Sequence, residues 1–374
     1  MSVECEKVGG VNLSQGVCDL TIPAAVRSAA RAAIDAGPNS YSRHDGTNAL
    51  RTAVADYYSR RAGLDVDPEK NVVVSAGATG ALYCACLALL EPGDEVILFE
   101  PYYSYHQSTL VATGAVPVFV KTDPPAWDVP FERLQAALSP RTKAIIVNTP
   151  GNPNGKIWRR DELQTLAAFC EENDLLVFTD EIYEHFVYDD RHHISPASLP
   201  NMWPRTVTIS GLSKTFSITG WRIGYCVCPE EAAEAIGNFS DLIYVCAPTP
   251  LQIGAAAGLV ELPDSYFLEL ASEYRKKRDR LCSALHEVGL RPYVPEGAYY
   301  VLADVSDLPG ANSRERAMHL LEKTGVASVP GESFFTGVEG DTLVRFCFAK
   351  EDDVLDDGCR RLSSLNATGA VASA

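Results

Sequence analysis

Within Ser210-Gly211-Leu212-Ser213-Lys214-Thr215-Phe216-Ser217-Ile218-Thr219-Gly220-Trp221-Arg222-Ile223-Gly224, one lysine sits among small residues and an arginine follows it eight positions on. A lysine that forms an imine with an aldehyde must be reachable and must lose its proton near neutral pH. Nearby positive charge and restricted water arrange both. Lys214 is therefore the candidate Schiff-base lysine, and Arg222 the candidate partner of an anion such as a phosphate. Three other segments offer groups to the same kind of ligand. Ser75-Ala76-Gly77-Ala78-Thr79-Gly80 follows a strand-like run and opens an apolar helix-like run, so its backbone N–H groups and the Thr79 hydroxyl suit an anion at a helix N-terminus. Residues 148–155, Asn-Thr-Pro-Gly-Asn-Pro-Asn-Gly, form a turn cluster in which Asn152 can donate to a ligand oxygen. In residues 177–183 an apolar strand runs into Asp180, whose burial calls for a cation such as a protonated pyridine nitrogen, and Tyr183 lies three residues on. Singly, these segments also read as a glycine-rich turn, turn formers and an exposed strand-end acid; Glu181 is taken as the last of these.

The elements that must position these groups alternate along the chain. Strand-like runs at 71–74, 95–99, 116–120, 144–148, 175–179 and 206–210 are separated by helix-like runs such as 79–90, 159–173 and 230–241. That alternation predicts an α/β lobe with a largely parallel sheet and helices on both faces. After about residue 262 the pattern changes to a long charged helix at 264–288, a strand at 298–303, a helix at 313–323 and a strand at 343–349, which predicts a smaller α+β lobe. Residues 1–39 read as an N-terminal arm and helix packing with the small domain, residues 40–262 as the large domain and 263–374 as the small one. The helix candidate at 23–36 suits either lobe, and the tail from 367 reads as a disordered end.

The chain has 374 residues, of which 46% are hydrophobic and 22% charged, the composition of a soluble globular protein. Its formal charge of -17 opposes phosphate backbones and anionic lipid, so neither nucleic acid nor a membrane surface is expected as a partner. No secretory signal or membrane-spanning run is evident, which points to the cytoplasm. The closest cysteine pairs, Cys84/Cys86 and Cys226/Cys228, lack zinc or redox spacing and read as reduced core thiols. His185, His192 and His193 have no metal-ligand spacing and are read as surface residues, so no metal is expected. The run Arg275-Lys276-Lys277-Arg278 is read as a solvated helix face.

The order of these segments resembles the class I/II aminotransferases, pyridoxal 5'-phosphate (PLP) enzymes of fold type I. The resemblance extends to Tyr41-Ser42-Arg43-His44-Asp45-Gly46, to Glu91-Pro92-Gly93-Asp94-Glu95-Val96 with Pro101-Tyr102-Tyr103, to residues 295–300 and to Val344-Arg345-Phe346, and so covers nearly the whole chain. It implies a seven-stranded, mostly parallel sheet flanked by helices. It also implies that Lys214 holds PLP as a Schiff base and later moves the substrate Cα proton, while Asp180 keeps the pyridine nitrogen protonated. Asn152 and Tyr183 would donate to the phenolic oxygen. Ala78, Thr79 and Arg222, with Ser210 or Ser213, would cup the phosphate, helped by Tyr41 of a neighbouring subunit. Tyr103 or its neighbour Tyr102 would stack on the ring, and Arg345 would fork the substrate carboxylate near the Gly16 backbone. The resemblance thus implies a homodimer with shared active sites acting on an amino acid and a 2-oxo acid.

The chain departs from the commonest pattern at Gly211, where a serine often contacts the phosphate, so a weaker contact is expected. No arginine matches the family's distal-carboxylate partner. Amino transfer is the leading expectation. The same chemistry can instead eliminate or replace a group at Cβ or Cγ, or cyclise, as in relatives resembling aminocyclopropane-carboxylate synthases. A PLP-sensing regulator without turnover would need an attached DNA-binding module, and the chain's charge opposes DNA.

Overall fold

The computed structural model describes residues 1–18, 20–37 and 39–368. In chain order the elements are α1 (Ser2–Lys7), β1 (Val11–Asn12), α2 (Ala24–Ala36), α3 (Asn48–Ala62), β2 (Val72–Ala76), α4 (Gly77–Leu89), β3 (Glu95–Glu100), α5 (Ser104–Ala112), β4 (Val116–Lys121), α6 (Phe131–Ala136), β5 (Thr142–Asn148), α7 (Arg160–Glu172), β6 (Leu176–Asp180), β7 (Thr206–Gly211) and β8 (Ile223–Val227). There follow α8 (Glu230–Tyr244), α9 (Thr249–Glu261), α10 (Asp264–Glu287), β9 (Arg291–Tyr293), β10 (Tyr300–Asp304), α11 (Ser313–Thr324), β11 (Val326–Ala327), β12 (Val329–Pro330), β13 (Leu343–Cys347) and α12 (Asp352–Leu362). The tail expected to be disordered lies, from residue 369 on, outside the described residues.

Seven strands form one sheet in the order β2-β8-β7-β6-β5-β3-β4. All run parallel except β8, which is antiparallel to both β2 and β7. Helices cover both faces, and this is why the strands are nearly continuous apolar runs rather than alternating ones. Val72 and Val74 join one core while Val73 joins the other, and Ile145 and Val147 likewise face away from Ala144 and Ile146. The sheet is thus α/β and mostly parallel, as the alternation of elements predicts. The sequence reading passed over β8, because Ile223–Val227 follows the lysine segment without a helix between.

That omission matters for the site. Residues 212–222 leave β7 and return in β8, and the two strands are paired at Gly211 and Gly224. Lys214 and Arg222 therefore ride on one loop whose ends are stapled across the sheet. A Cβ on Gly224 would lie 2.3 Å from the Ala78 backbone nitrogen, so the glycine lets β8 abut the first turn of α4.

The second sheet is four-stranded and antiparallel, in the order β12-β13-β10-β9, with α10 and α12 packed together beside it. The N-terminal arm divides between the lobes. β1 pairs in parallel with β11, on the small-lobe side. Helix α2 instead packs on α9, where a Cβ on Gly254 would meet Ala30 Cβ at 2.7 Å, and Val26 joins the same core cluster as Val72 and Val74. The run at 275–278 is not wholly solvated either. Lys277 and Arg278 are buried: Lys277 donates to Lys350 O at 2.9 Å and Asp352 Oδ1 at 3.0 Å, and Arg278 bonds Asp189 and Asp279. Apart from Asp279 these acceptors stand far away in sequence, so helix periodicity alone gave no sign of them. Cysteines 84, 86, 226 and 228 are buried and carry no disulfide. No helix of the described residues is long and apolar enough to cross a membrane.

Candidate active site

A cavity of about 1030 Å³ opens where β5, β6 and β7 end, with the small sheet closing one side. Ligands of open α/β sheets gather at such carboxyl ends. Its lining includes Ala78, Thr79, Ser213, Lys214 and Arg222 at one end, Asp180, Tyr183 and Tyr103 across the middle, and Asn152, Gly16 and Arg345 at the other. Ten of the residues singled out in the sequence thus meet on one surface with the backbone of Gly16.

At the first end, α4 begins with Gly77, Ala78 and Thr79, whose N–H groups have no intrahelical acceptor and sit at the positive end of the helix dipole. Arg222 lies beside them. Its φ of 58° is left-handed, and its Nη1 donates to Thr219 O at 3.0 Å. Gly77, also left-handed at φ 76°, leaves the guanidinium room, since a Cβ there would sit 2.4 Å from Arg222 Nη2.

Lys214 reaches from that end toward Gly16. Its Nζ donates to Gly16 O at 3.1 Å, the same carbonyl that accepts from Tyr299 Oη at 3.1 Å. Burial lowers the Lys214 pKa, and the nearby Arg222 charge acts in the same direction. Gly16 is required by space: a Cβ there would fall 1.8 Å from the Tyr300 hydroxyl. Tyr183 is buried with its Oη 3.2 Å from that of Tyr300, and burial holds its phenol well above the ordinary value.

Asp180 ends β6 with its carboxylate toward the cavity and bonded through Oδ2 to His106 Nε2 at 2.8 Å. The sequence reading missed His106. It stands on α5 three residues after Tyr103, whose ring it meets edge to face at 5.2 Å. An aromatic followed at helical spacing by a histidine, in the segment that leaves the end of β3, was the available signal. Tyr103 lines the cavity, whereas Tyr102 points to a separate small pocket and donates its backbone N–H to Phe334 O at 3.0 Å.

At the far end Arg345, on β13, donates from Nη1 to Asn152 Oδ1 at 2.7 Å and from Nη2 to Ser14 O at 3.0 Å. Its guanidinium carbon lies 4.1 Å from the Tyr300 ring centre and 4.9 Å from that of Phe334. Arg314 also reaches the cavity mouth, where it pairs with Glu332 at 2.7 Å.

Several expectations are corrected. Ser210 does not line the cavity: it is buried behind it and donates to Glu184 Oε1 at 2.9 Å, so Ser213 is the serine on the cavity surface. Tyr41, which the resemblance assigns to a neighbouring subunit's site, needs no correction: it is exposed and does not line this chain's own cavity. Glu181 is buried, not a solvated strand end, and it holds His193 at 2.7 Å. His185 is buried too, stacked on Phe267 at 4.4 Å, which leaves His192 as the exposed histidine of the three. Among the described residues no cluster of acids, histidines and cysteines has the form of a metal site.

Comparison with known proteins gives the same answer as the geometry. The family model for aminotransferase class I and II matches residues 8–362. Kynurenine–oxoglutarate transaminase 3 of Rattus norvegicus is 38% identical, over 92% of this chain and 83% of the relative. A probable N-succinyldiaminopimelate aminotransferase of Mycobacterium tuberculosis is 37% identical, over 98% and 94%. The solved N-succinyldiaminopimelate aminotransferase from Mycobacterium tuberculosis superposes with a TM-score of 0.94 at 37% identity, covering 98% of this chain and 96% of that one. The chain belongs to the class I and II aminotransferases, and it is a PLP-dependent enzyme that moves the amino group of an α-amino acid to a 2-oxo acid.

Proposed function

We propose that the cavity is the site of this amino transfer, with the cofactor held at the α4 end and the substrate carboxylate at the Arg345 end. The observation that carries the reading is the state of Arg345. It bonds two neutral oxygens, its buried Nε has no partner, and among the described residues no carboxylate pairs with it. A buried guanidinium without a counter-anion is costly, and a substrate α-carboxylate supplies one in the bidentate geometry that arginine favours.

PLP fits the remaining groups. Ala78 and Thr79 N–H, the Thr79 and Ser213 hydroxyls and Arg222 would hold its phosphate, and Asp180 its pyridine nitrogen. Asn152 and Tyr183 would face its phenolic oxygen, Tyr103 its ring and Lys214 its aldehyde. When bound, PLP supplies an electron sink for negative charge at the substrate Cα. Lys214 Nζ takes the Cα proton and returns it during transfer, and burial lowers its pKa, which favours the neutral amine that this step needs. His106, bonded to Asp180, keeps the carboxylate aimed. The apolar wall formed by Phe334, Pro330, Val329 and Met318 favours a sizeable apolar side chain on the amino donor.

The same reading takes residues 1–39 as an arm, 40–262 as the PLP-binding domain and 263–374 as the small domain. It makes the enzyme a homodimer in which Tyr41 reaches the partner's phosphate site, supported by the exposure of Tyr41 on a loop that Arg43, Asp45 and Arg51 tie down. We also infer a cytoplasmic location, with which the free thiols of the cysteines agree. The test is spectroscopic. Purified protein should carry the absorbance of lysine-linked PLP, an amino acid should discharge it and a 2-oxo acid should restore it, and Lys214→Ala should do neither. No band after added PLP would sink the reading; a single monomeric species on sedimentation would sink the shared site.

A further inference from the structure

Behind the cavity floor, on the other side of the strand end that bears Asp180, lies a buried ionic cluster. Side chains alternate along an extended chain, so Glu181 turns away from the cavity that Asp180 faces. Its side chain has no exposure. It accepts bonds from Thr179 Oγ1 at 3.0 Å, Ser195 Oγ at 2.8 Å and His193 Nε2 at 2.7 Å. Three residues on, Glu184 accepts from Tyr57 Oη at 2.7 Å and Ser210 Oγ at 2.9 Å.

The imidazole of His193 bonds Glu181, and burial opposes a charge on the ring, but the neighbouring Glu181 and Glu184 carboxyls outweigh that and raise its pKa, while burial raises that of Glu184. The other groups facing the cluster are Arg61, Tyr57 and Tyr58 from α3, His185 from the same turn and Tyr225 from β8. His193 Nδ1 and the hydroxyls of Tyr58 and Tyr225 are buried there without a partner among the described residues.

The cluster adjoins the segments that carry Asp180, Tyr183, Lys214 and Arg222. Glu181 and Glu184 bracket Tyr183 and directly follow Asp180. Ser210 stands four residues before Lys214, and Tyr225 three residues after Arg222. Apolar side chains of the same volume would fill such a space with at least equal stability. What they would not supply is directional attachment between the strand ends. Neither carboxylate lines the cavity, so the cluster acts only through the backbone it holds.

We propose that Glu181, His193 and Glu184 are positioning residues that lock the 180–184 turn to the end of β7, so that Asp180, Tyr183 and Lys214 converge on one cofactor. The inference rests on the cofactor placement given above. It is tested on apo protein of the wild type and of His193→Gln, Glu184→Gln and Tyr57→Phe. Each is titrated with PLP for affinity and for the pH midpoint of the bound cofactor's absorbance, with melting temperature measured alongside. His193→Gln and Glu184→Gln should weaken PLP binding by about tenfold or more, as loss of outer-shell support typically does, and shift the midpoint by about half a unit or more. Tyr57→Phe leaves Glu181, His193 and Glu184 in place and should give a smaller change in the same direction; if the other variants fail to fold, it carries the test alone. Lower melting temperatures with wild-type affinity and midpoint would reduce the cluster to packing and overturn the proposal. Wild-type protein that binds no PLP would overturn the cofactor placement, and this inference with it.

Discussion

Arg345 Nη1 donates a 2.7 Å hydrogen bond to the amide oxygen of Asn152, joining the antiparallel sheet of the small lobe to the turn after β5 in the large one. Its other terminal nitrogen holds Ser14 O, so one guanidinium is oriented by three separated parts of the chain. The clamp proposed for the substrate carboxylate is therefore assembled only when all three are in place.

Replacing Arg345 by lysine keeps the charge but removes the planar fork. A lost charge-assisted hydrogen bond is worth about 1.5–3 kcal/mol. Arg345→Lys should then lower kcat/KM for the amino donor by about ten- to a hundredfold, with PLP affinity unchanged, as steady-state kinetics and cofactor titration would read. Equal losses in both would place Arg345 in the cofactor site instead.

Asn12 controls the same clamp from a distance. Its Oδ1 accepts from Ser14 N at 3.0 Å and Oγ at 2.6 Å, and its Nδ2 donates to Ser2 Oγ at 3.1 Å, tying α1 to the segment whose carbonyls hold Arg345 and Lys214. Asn12→Ala should raise KM for the amino donor by about fivefold, the worth of roughly 1 kcal/mol of hydrogen bonding. The turnover number should stay near the wild-type value. A fall in kcat with KM unchanged would contradict this link.

How much of this was legible in the sequence depends on the range over which each residue acts. Lys214 and Arg222 share one loop, and Asp180 closes an apolar run, so local pattern displayed them. Glu181 reads as exposed because charge at a strand end is normally solvated, and its partners His193 and Ser195, 12 and 14 positions on, reach it only in the fold. Lys277 and Arg278 failed for the same reason, with acceptors 75 and 89 positions away. His106 meets Asp180 across 74 residues, through the packing of α5 against the sheet. Periodicity reports which face of an element is apolar; it carries no information about which polar group on a distant element will meet a buried charge.

Gly211 is a case where the resemblance invites the wrong engineering step. A serine there is expected to add a phosphate contact, yet a Cβ on Gly211 would lie 2.9 Å from Gly224 Cα and 3.1 Å from Ile223 O, both backbone atoms. Gly211→Ser must push β8 toward α4, where Gly224 already leaves no space beside Ala78. It should cost about 1–3 kcal/mol of stability, the usual price of overpacking, and weaken PLP binding. Denaturant unfolding and cofactor titration check both, and tighter binding would show that β8 has slack.

Lys214 makes the apo enzyme's stability depend on pH in a defined direction. Burial comes first among the causes that lower its pKa, so the folded state gives up the lysine proton more readily than the unfolded chain. Between the folded and unfolded values the unfolded chain binds more protons, and stability therefore rises with pH across that window. Below the folded value both states are charged, and the cost of burying the ammonium is present in full and constant. Lys214→Met is neutral in both states and lacks this dependence. The unfolding free energy of wild-type apo protein minus that of Lys214→Met should be flat at low pH and climb as pH approaches that of an ordinary lysine. Urea titrations over a pH series measure the difference directly. A difference that stays flat throughout would mean that Lys214 titrates like a surface lysine, and the neutral amine needed to take a Cα proton near physiological pH would then have to be produced by the bound cofactor and not by the fold.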